Sequence, residues 1–162
     1  MWSSLRKFDS VCHFFNGGAS STVEDVEFNQ RVFKFSQSLD QKIYSVLKVP
    51  DDYVSGYQIN LVAYAYSPSI SNNFLISANS ALIRSGTDAA GSTANTRNSV
   101  NTAITNASPA YLLHKITLDI TDGNGKINGV NINPGDNIEI YLTRGTDTDT
   151  ADVRVRSDVI GL

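Results

Sequence analysis

The chain has 162 residues, of which 41% are hydrophobic and 18% charged, which suits one domain with a single buried core. Its net charge of −3 and its scattered lysines and arginines exclude the clustered positive charge that nucleic-acid binding requires. One cysteine excludes an internal disulfide, and no apolar run is long enough to span a membrane. Since the N-terminus also lacks a signal-peptide pattern, we expect a chain made in a reducing cytoplasm, with neither nucleic acid nor membrane as a partner.

The first 24 residues contain aromatic side chains without any strand or helix period. The run at 16–22 is rich in glycine, serine and threonine and is typical of a flexible connector. Disordered tails are poor in aromatic residues, so we interpret this segment as an arm that docks on another protein, with a frayed terminus as the alternative. The predicted protein-binding residues are Trp2, Phe8, Phe14 and Phe15. The predicted division is an N-terminal arm at 1–24 and a β domain at 25–162.

From residue 26 onward, apolar and polar residues alternate, as in strands with one buried face. The predicted core comprises Phe33, Phe35, Leu61, Ile116, Leu118, Ile138, Ile140, Leu142, Val153 and Val155. Weaker strand candidates lie at 41–49, 74–84 and 98–105, of which the last could be a short helix. The polar stretch at 85–98 is predicted to be a surface loop. Turn sequences such as 50–52, 122–125 and 133–136 separate the runs. About seven to nine antiparallel strands without intervening helices predict an all-β jelly roll or β-sandwich.

Nothing in the sequence predicts an enzyme. Nucleophilic catalysis usually needs a histidine base, and the two histidines are His13 in the arm and His114 at the start of a predicted strand, where a structural imidazole is expected. No nucleophile elbow and no phosphate-binding glycine loop is present, so no catalytic residue and no cofactor is predicted. Tyr57, Tyr64 and Tyr66 could stack on sugars, although a covering loop or subunit is the more ordinary role for such a face.

Two acidic clusters are candidates for a structural calcium site, because calcium binds several converging oxygen ligands. They comprise Asp119, Asp122 and Asn124 in one cluster and Asp147, Asp149 and Asp152 in the other. Their spacing does not match an EF-hand loop, and turns select the same residue types. Plain turns without metal are therefore the favoured interpretation, with calcium as the alternative.

Two passages resemble the jelly-roll domain of virion proteins of tailed phages. One runs from Lys48 through Pro50-Asp51-Asp52-Tyr53-Val54-Ser55-Gly56 into the strand at 59–66. The other runs from Asn133-Pro134-Gly135-Asp136 through the strand at 138–144 and an Asp/Thr-rich loop into a last strand. The resemblance covers about residues 26–160, and the arm lies outside it.

The resemblance implies a non-enzymatic capsid decoration or cement protein on the outer surface of the virion, made in the host cytoplasm. Its expected partners are the major capsid protein or another virion protein. The strand at 59–66 is half apolar on both faces and needs a second buried surface, which a subunit contact or a covering loop could supply. We expect a homo-oligomer, a trimer in preference to a dimer. The alternative function is a receptor- or glycan-binding module of a phage tail or head fibre.

Overall fold

The computed structural model describes residues 14–17, 22–84, 86–89, 95–100 and 103–156. Its strands are β1 (Phe15–Gly17), β2 (Val23–Glu27), β3 (Gln30–Phe35), β4 (Lys42–Lys48), β5 (Asn60–Tyr66), β6 (Asn73–Phe74), β7 (Ile76–Ile83), β8 (Thr96–Val100), β9 (Ile104–Thr105), β10 (His114–Asp119), β11 (Lys126–Ile127), β12 (Val130–Asn131), β13 (Asn137–Arg144) and β14 (Val153–Arg156). The described part contains no helix that is long and apolar enough to cross a membrane.

Ten of these strands form two five-stranded antiparallel sheets. Sheet I has the order β1-β4-β13-β7-β8, and sheet II has the order β10-β5-β14-β3-β2. Two short pairs, β11-β12 and β6-β9, complete the described strands. Apolar side chains from both sheets meet in one core. The prediction of an all-β sandwich is therefore confirmed.

The core agrees with the alternation read from the sequence. Each of the ten predicted core residues is at most 2% exposed. The clearest cases are β13, in which Ile138, Ile140 and Leu142 are fully buried, and β10, in which Ile116 and Leu118 are buried while the polar residue between them is exposed. A period of two places every second side chain on the same face, so these strands could be oriented from sequence alone.

The region at 98–105 contains strands and not the short helix that the sequence left open. It contributes the end of β8 and the short strand β9, and β8 pairs with β7 from Ala81↔Thr96 to Ser77↔Val100. Pairing with a central strand outweighs the weak local preference of a Ser/Thr/Asn-rich segment. Strand β8 also begins inside the stretch that we expected to be a surface loop, of which residues 85 and 90–94 lie outside the described part.

The end of the predicted arm is part of the sandwich. Phe14 is only 7% exposed and packs in the core, and β1 pairs with β4 through Phe15↔Tyr44. Within the predicted connector, the Thr22 hydroxyl donates a hydrogen bond to the Asn16 side chain. The arm was expected to lie outside the domain because a three-residue strand is too short to show alternation. Residues 1–13, with Trp2, Phe8 and His13, lie outside the described residues.

Gly125 closes the turn after β10 at a position where no other residue fits. Its φ is +68°, and an added Cβ would lie 2.6 Å from the Tyr57 carbonyl oxygen and 2.8 Å from the Gly56 carbonyl carbon. Because backbone atoms cannot move aside cheaply, we expect Gly125→Ala to lower the free energy of unfolding by about 2–4 kcal/mol, the sum of left-handed strain and overpacking.

Urea denaturation measures this effect, and Gly123→Ala is the matched control. A Cβ at Gly123 meets nothing within 4 Å. We expect the control to change stability by no more than about 0.5 kcal/mol. Equal values for the two variants would contradict the close approach of the turn to residues 56–57.

Candidate functional site

The outer face of sheet I carries the candidate site. Along β4, Ile43, Ser45 and Leu47 point into the core, whereas Tyr44 and Val46 are exposed on the opposite face. The same alternation in β13 buries its isoleucines and leaves its intervening residues facing outward. The strands that build the core therefore also hold the side chains of this outer face, which is exposed along β4 and partly buried along most of β13.

One set of cross-strand neighbours runs across all five strands of sheet I. The register pairs Phe15 with Tyr44, Tyr44 with Tyr141, Tyr141 with Asn79, and Asn79 with Asn98. Residues directly opposite each other on adjacent strands point to the same face. The five side chains consequently form one line, three aromatic rings followed by two amides, which we call the cross-strand row.

The two tyrosines of the cross-strand row are in ring contact. The centroids of Tyr44 and Tyr141 are 5.5 Å apart and their planes are inclined by 45°. The Lys42 ammonium lies 5.3 Å from the centre of the Tyr141 ring and 3.6 Å from an Asp40 carboxylate oxygen. Phe15 is 67% and Tyr44 38% exposed, so the aromatic end of the row is accessible to a ligand.

A second aromatic group, which we call the aromatic corner, lies at the β2–β3 hairpin. The Phe28 ring meets Tyr111 edge to face at 5.4 Å and lies 6.2 Å from Tyr66. Phe28 and Tyr111 both have a left-handed backbone, with φ of 52° and 64°. Bulky residues seldom adopt this conformation, which costs free energy unless the surroundings compensate. The neighbouring side chains of Leu112 and Leu113 are exposed.

Charged side chains lie directly beside the aromatic corner. Glu27 accepts hydrogen bonds from Arg154 at 3.1–3.2 Å and from the Tyr66 hydroxyl at 3.1 Å, and the Lys34 ammonium lies 2.9 Å from it. Lys34 also bonds Asp25 at 2.6 Å. Burial raises the pKa of Tyr66 to about 12, with the Glu27 carboxylate adding to the effect. Each charge of this group therefore has an opposite partner.

This group predicts a loss of stability in acid that depends on Glu27. Burial by itself would raise the pKa of Glu27, but hydrogen bonds from Arg154 and Lys34 outweigh it and hold the pKa below the ordinary 4.5. A carboxyl group with a depressed folded pKa stabilises the fold above its unfolded pKa, and this contribution is lost as the pH falls through the folded value.

We therefore expect Glu27→Gln to lose less stability than the wild type between about pH 7 and about pH 3. Urea midpoints at the two pH values measure the difference. Identical losses in both proteins would show that the Glu27 contacts do not contribute to acid sensitivity.

The calcium candidates in the last loop are engaged by protein groups. Arg144 holds Asp147 through two hydrogen bonds of 2.7 and 2.8 Å, and Asp149 accepts from the Asn106 amide at 2.7 Å and the Ala151 backbone at 2.9 Å. Asp152 is exposed, and its carbonyl accepts from Arg154. These contacts fix the loop, because an arginine, an amide side chain and a backbone amide donate to its carboxylates.

The other candidate cluster forms a turn. The Asp122 carboxylate accepts from the backbone amides of Asn124 and Lys126, both at 2.9 Å, and these bonds lower its pKa. The Asp119 amide bonds the Ser99 hydroxyl on β8. Among the described residues, no three histidine, cysteine or acidic side chains are grouped as a metal site would require.

His114 occupies a structural position at the start of β10. Its ring meets Phe74 edge-on with centroids 6.0 Å apart, and its buried Nε2 has no hydrogen-bond partner among the residues that the structure describes. A general base needs a nucleophile within hydrogen-bond reach, and none of the described residues bonds this nitrogen.

The three tyrosines considered for sugar stacking differ in exposure, although Tyr64 and Tyr66 lie two residues apart on the same face of β5. Tyr66 is 5% exposed under the aromatic corner, Tyr57 lies in the loop before β5, and Tyr64 is half-buried on sheet II. The accessible pair is instead Tyr44 and Tyr141, at the polar positions of β4 and β13. The sequence does show that each of these tyrosines occupies a polar position of an alternating strand. It does not show that the two strands pair, so the site could not be predicted from it.

No protein-family model matches the chain. No curated protein matches its sequence either. Among solved structures, the chain is similar to one described as TmCBM61 in complex with beta-1,4-galactotriose, with a TM-score of 0.47 and 9% identity over 95% of this chain and 89% of that chain. At this score and identity the likeness indicates neither a family nor a ligand for this chain.

Proposed function

We propose that this chain is a non-enzymatic binding domain that recognises a glycan with the outer face of sheet I. The observation that carries the proposal is the cross-strand row, in which three aromatic rings and two amides, each exposed or partly exposed, form one line across the sheet. This is the fibre-module alternative considered from the sequence, placed on different tyrosines.

The chemistry of the row suits a sugar better than it suits a protein core or a nucleic acid. A pyranose face whose hydroxyls are equatorial presents axial C–H groups that pack on an aromatic ring, while the hydroxyls bond to amides at the rim. Tyrosine supplies both an apolar face and a polar tip. Val46 beside the row is 62% exposed, so the face remains accessible along β4.

A glycan microarray, followed by affinity electrophoresis in gels containing soluble polysaccharides, tests the proposal. We expect binding that Tyr44→Ala and Tyr141→Ala each weaken by about tenfold or more. Tyr57→Ala is the matched control, because Tyr57 is 58% exposed but lies in a loop. Absence of binding to every glycan, or an equal loss in the control, contradicts the proposal.

Capsid decoration is a second candidate, and the aromatic corner favours it. Phe28 is 69% exposed in a left-handed conformation that asparagine or glycine would adopt at lower cost. A bulky residue held in such a strained conformation is a candidate for a functional contact through its ring. Under this proposal the corner joins copies of the chain into a trimer on the outer surface of a virion, where the trimer contacts the major capsid protein.

Phe28→Asn tests this candidate without backbone strain, since asparagine tolerates the turn, and it removes only the ring contacts with Tyr66 and Tyr111. We expect native mass spectrometry to find a trimer for the wild type and a monomer for Phe28→Asn, with thermal stability retained. We also expect the wild type, but not Phe28→Asn, to co-sediment with undecorated capsids. Val54→Ser, at a residue 62% exposed in a loop, is the control. A monomeric wild type that does not sediment contradicts the candidate.

A further inference from the structure

The cross-strand row runs perpendicular to the strands and has one position on each of them. Neighbouring strands lie about 4.8 Å apart, so the row spans about 19 Å from β1 to β8. The Tyr44 and Tyr141 ring centroids, 5.5 Å apart, are spaced like successive pyranose rings of an extended chain. Diequatorial 1,4-linkages advance a neutral glycan in this straight manner, whereas mixed axial and equatorial linkages make it coil.

The rings of the row do not lie in one plane. Tyr44 and Tyr141 are inclined by 45°, and a twisted sheet rotates each strand relative to the next. A crystalline polysaccharide presents a flat surface, which can contact only coplanar rings. A single chain in solution can rotate about each glycosidic bond and so follow the twist.

The row itself contains no charged side chain. The Lys42 ammonium beside the row already faces the Tyr141 ring and Asp40. On the other side of the row, the exposed Glu139 lies two residues before Tyr141 on β13. A carboxylated or sulfated sugar on the row would meet Glu139 on one side and, on the other, an ammonium that the Tyr141 ring and Asp40 already engage. The amides of Asn79 and Asn98 instead offer neutral donors and acceptors to hydroxyl groups.

Resting on the glycan-binding function proposed above, we infer that the row binds one soluble, neutral, β-1,4-linked pyranose chain that lies across the strands. One sugar is held on each strand. The chain stacks at the β1, β4 and β13 positions and is hydrogen-bonded at the β7 and β8 positions.

Calorimetry with β-1,4-linked oligomers of glucose, mannose and xylose, from two to six units long, tests the inference. The affinity for at least one series rises up to about five units, the number of strands crossed, and then stays constant. Asn98→Ala weakens binding of the five-unit oligomer by about fivefold, the effect of one neutral hydrogen bond, and leaves the two-unit oligomer unaffected. Asn124→Ala, an exposed asparagine in a turn, behaves as the wild type.

The outcomes separate this inference from the proposed function. Three results would overturn the inference and leave the proposed function standing, provided that binding depends on the tyrosines. The affinity could be independent of chain length, it could be highest for crystalline cellulose, or it could be confined to charged or axially linked glycans. A face that binds no glycan and instead mediates self-association overturns both.

Discussion

Replacing Arg144 by methionine is expected to lower the free energy of unfolding by about 3–5 kcal/mol, the cost of leaving one partner of a buried ion pair alone. The Arg144 and Asp147 side chains are only 2% and 1% exposed. The same guanidinium donates to the Phe35 carbonyl at 3.0 Å and to the Ala151 carbonyl at 2.7 Å, and it also bonds the Asp149 carbonyl. The substitution therefore leaves the buried Asp147 carboxylate without its counter-ion, with only backbone amides donating to it, and several carbonyl groups without the arginine donor.

Chemical denaturation of two further variants shows whether burial is the cause. Arg31→Met removes an ion pair with Glu24 in which the arginine is 67% exposed. That change should cost less than about 1 kcal/mol, as exposed pairs do. Adding Asp147→Asn to Arg144→Met should recover part of the loss, because it removes the isolated charge. A loss below about 1 kcal/mol for Arg144→Met would contradict the role of this arginine in holding the loop.

Phe14→Ala is expected to destabilise the domain by about 3–5 kcal/mol, although its sequence context resembles a tail. Its side chain packs among the core residues of both sheets at 7% exposure. Removal of a buried aromatic ring loses its transfer free energy and leaves a cavity that the surroundings fill only in part.

The adjacent residue provides the control, because Phe15 points to the other face and is 67% exposed. Phe15→Ala should cost less than about 1 kcal/mol in urea denaturation and should instead weaken glycan binding at the β1 end of the row. Similar stability losses for the two variants would mean that β1 does not alternate as described.

Strict alternation made much of the fold predictable. Leu118 and Ile140 could be placed in the core because the residues on either side of them are polar or half-polar, and a strand admits only one such division. Phe14 could not be placed in the same way, since three paired residues give no period. Its burial depends on the β1–β4 pairing, which is a contact between separate segments.

The candidate site was harder to foresee than the core. Tyr44 and Tyr141 lie far apart in the chain, and only the register of β4 and β13 makes them neighbours. Asn98 belongs to a polar segment whose composition favours a loop, and it joins the row because β8 pairs with β7. Alternation specifies which way a side chain points, whereas the neighbours on that face depend on which strands pair.

Along the strands of sheet I, alternate residues face the core and the outer face, and this bears on how the domain could diversify. In β4, Tyr44 lies between Ile43 and Ser45, which are both buried, so a replacement at 44 changes the outer face and leaves the interior intact. A shift of the backbone by one residue would exchange the two faces and is excluded by the core. Recognition can therefore evolve, or be selected from a library, by exchanging side chains at the five row positions on a scaffold that stays the same.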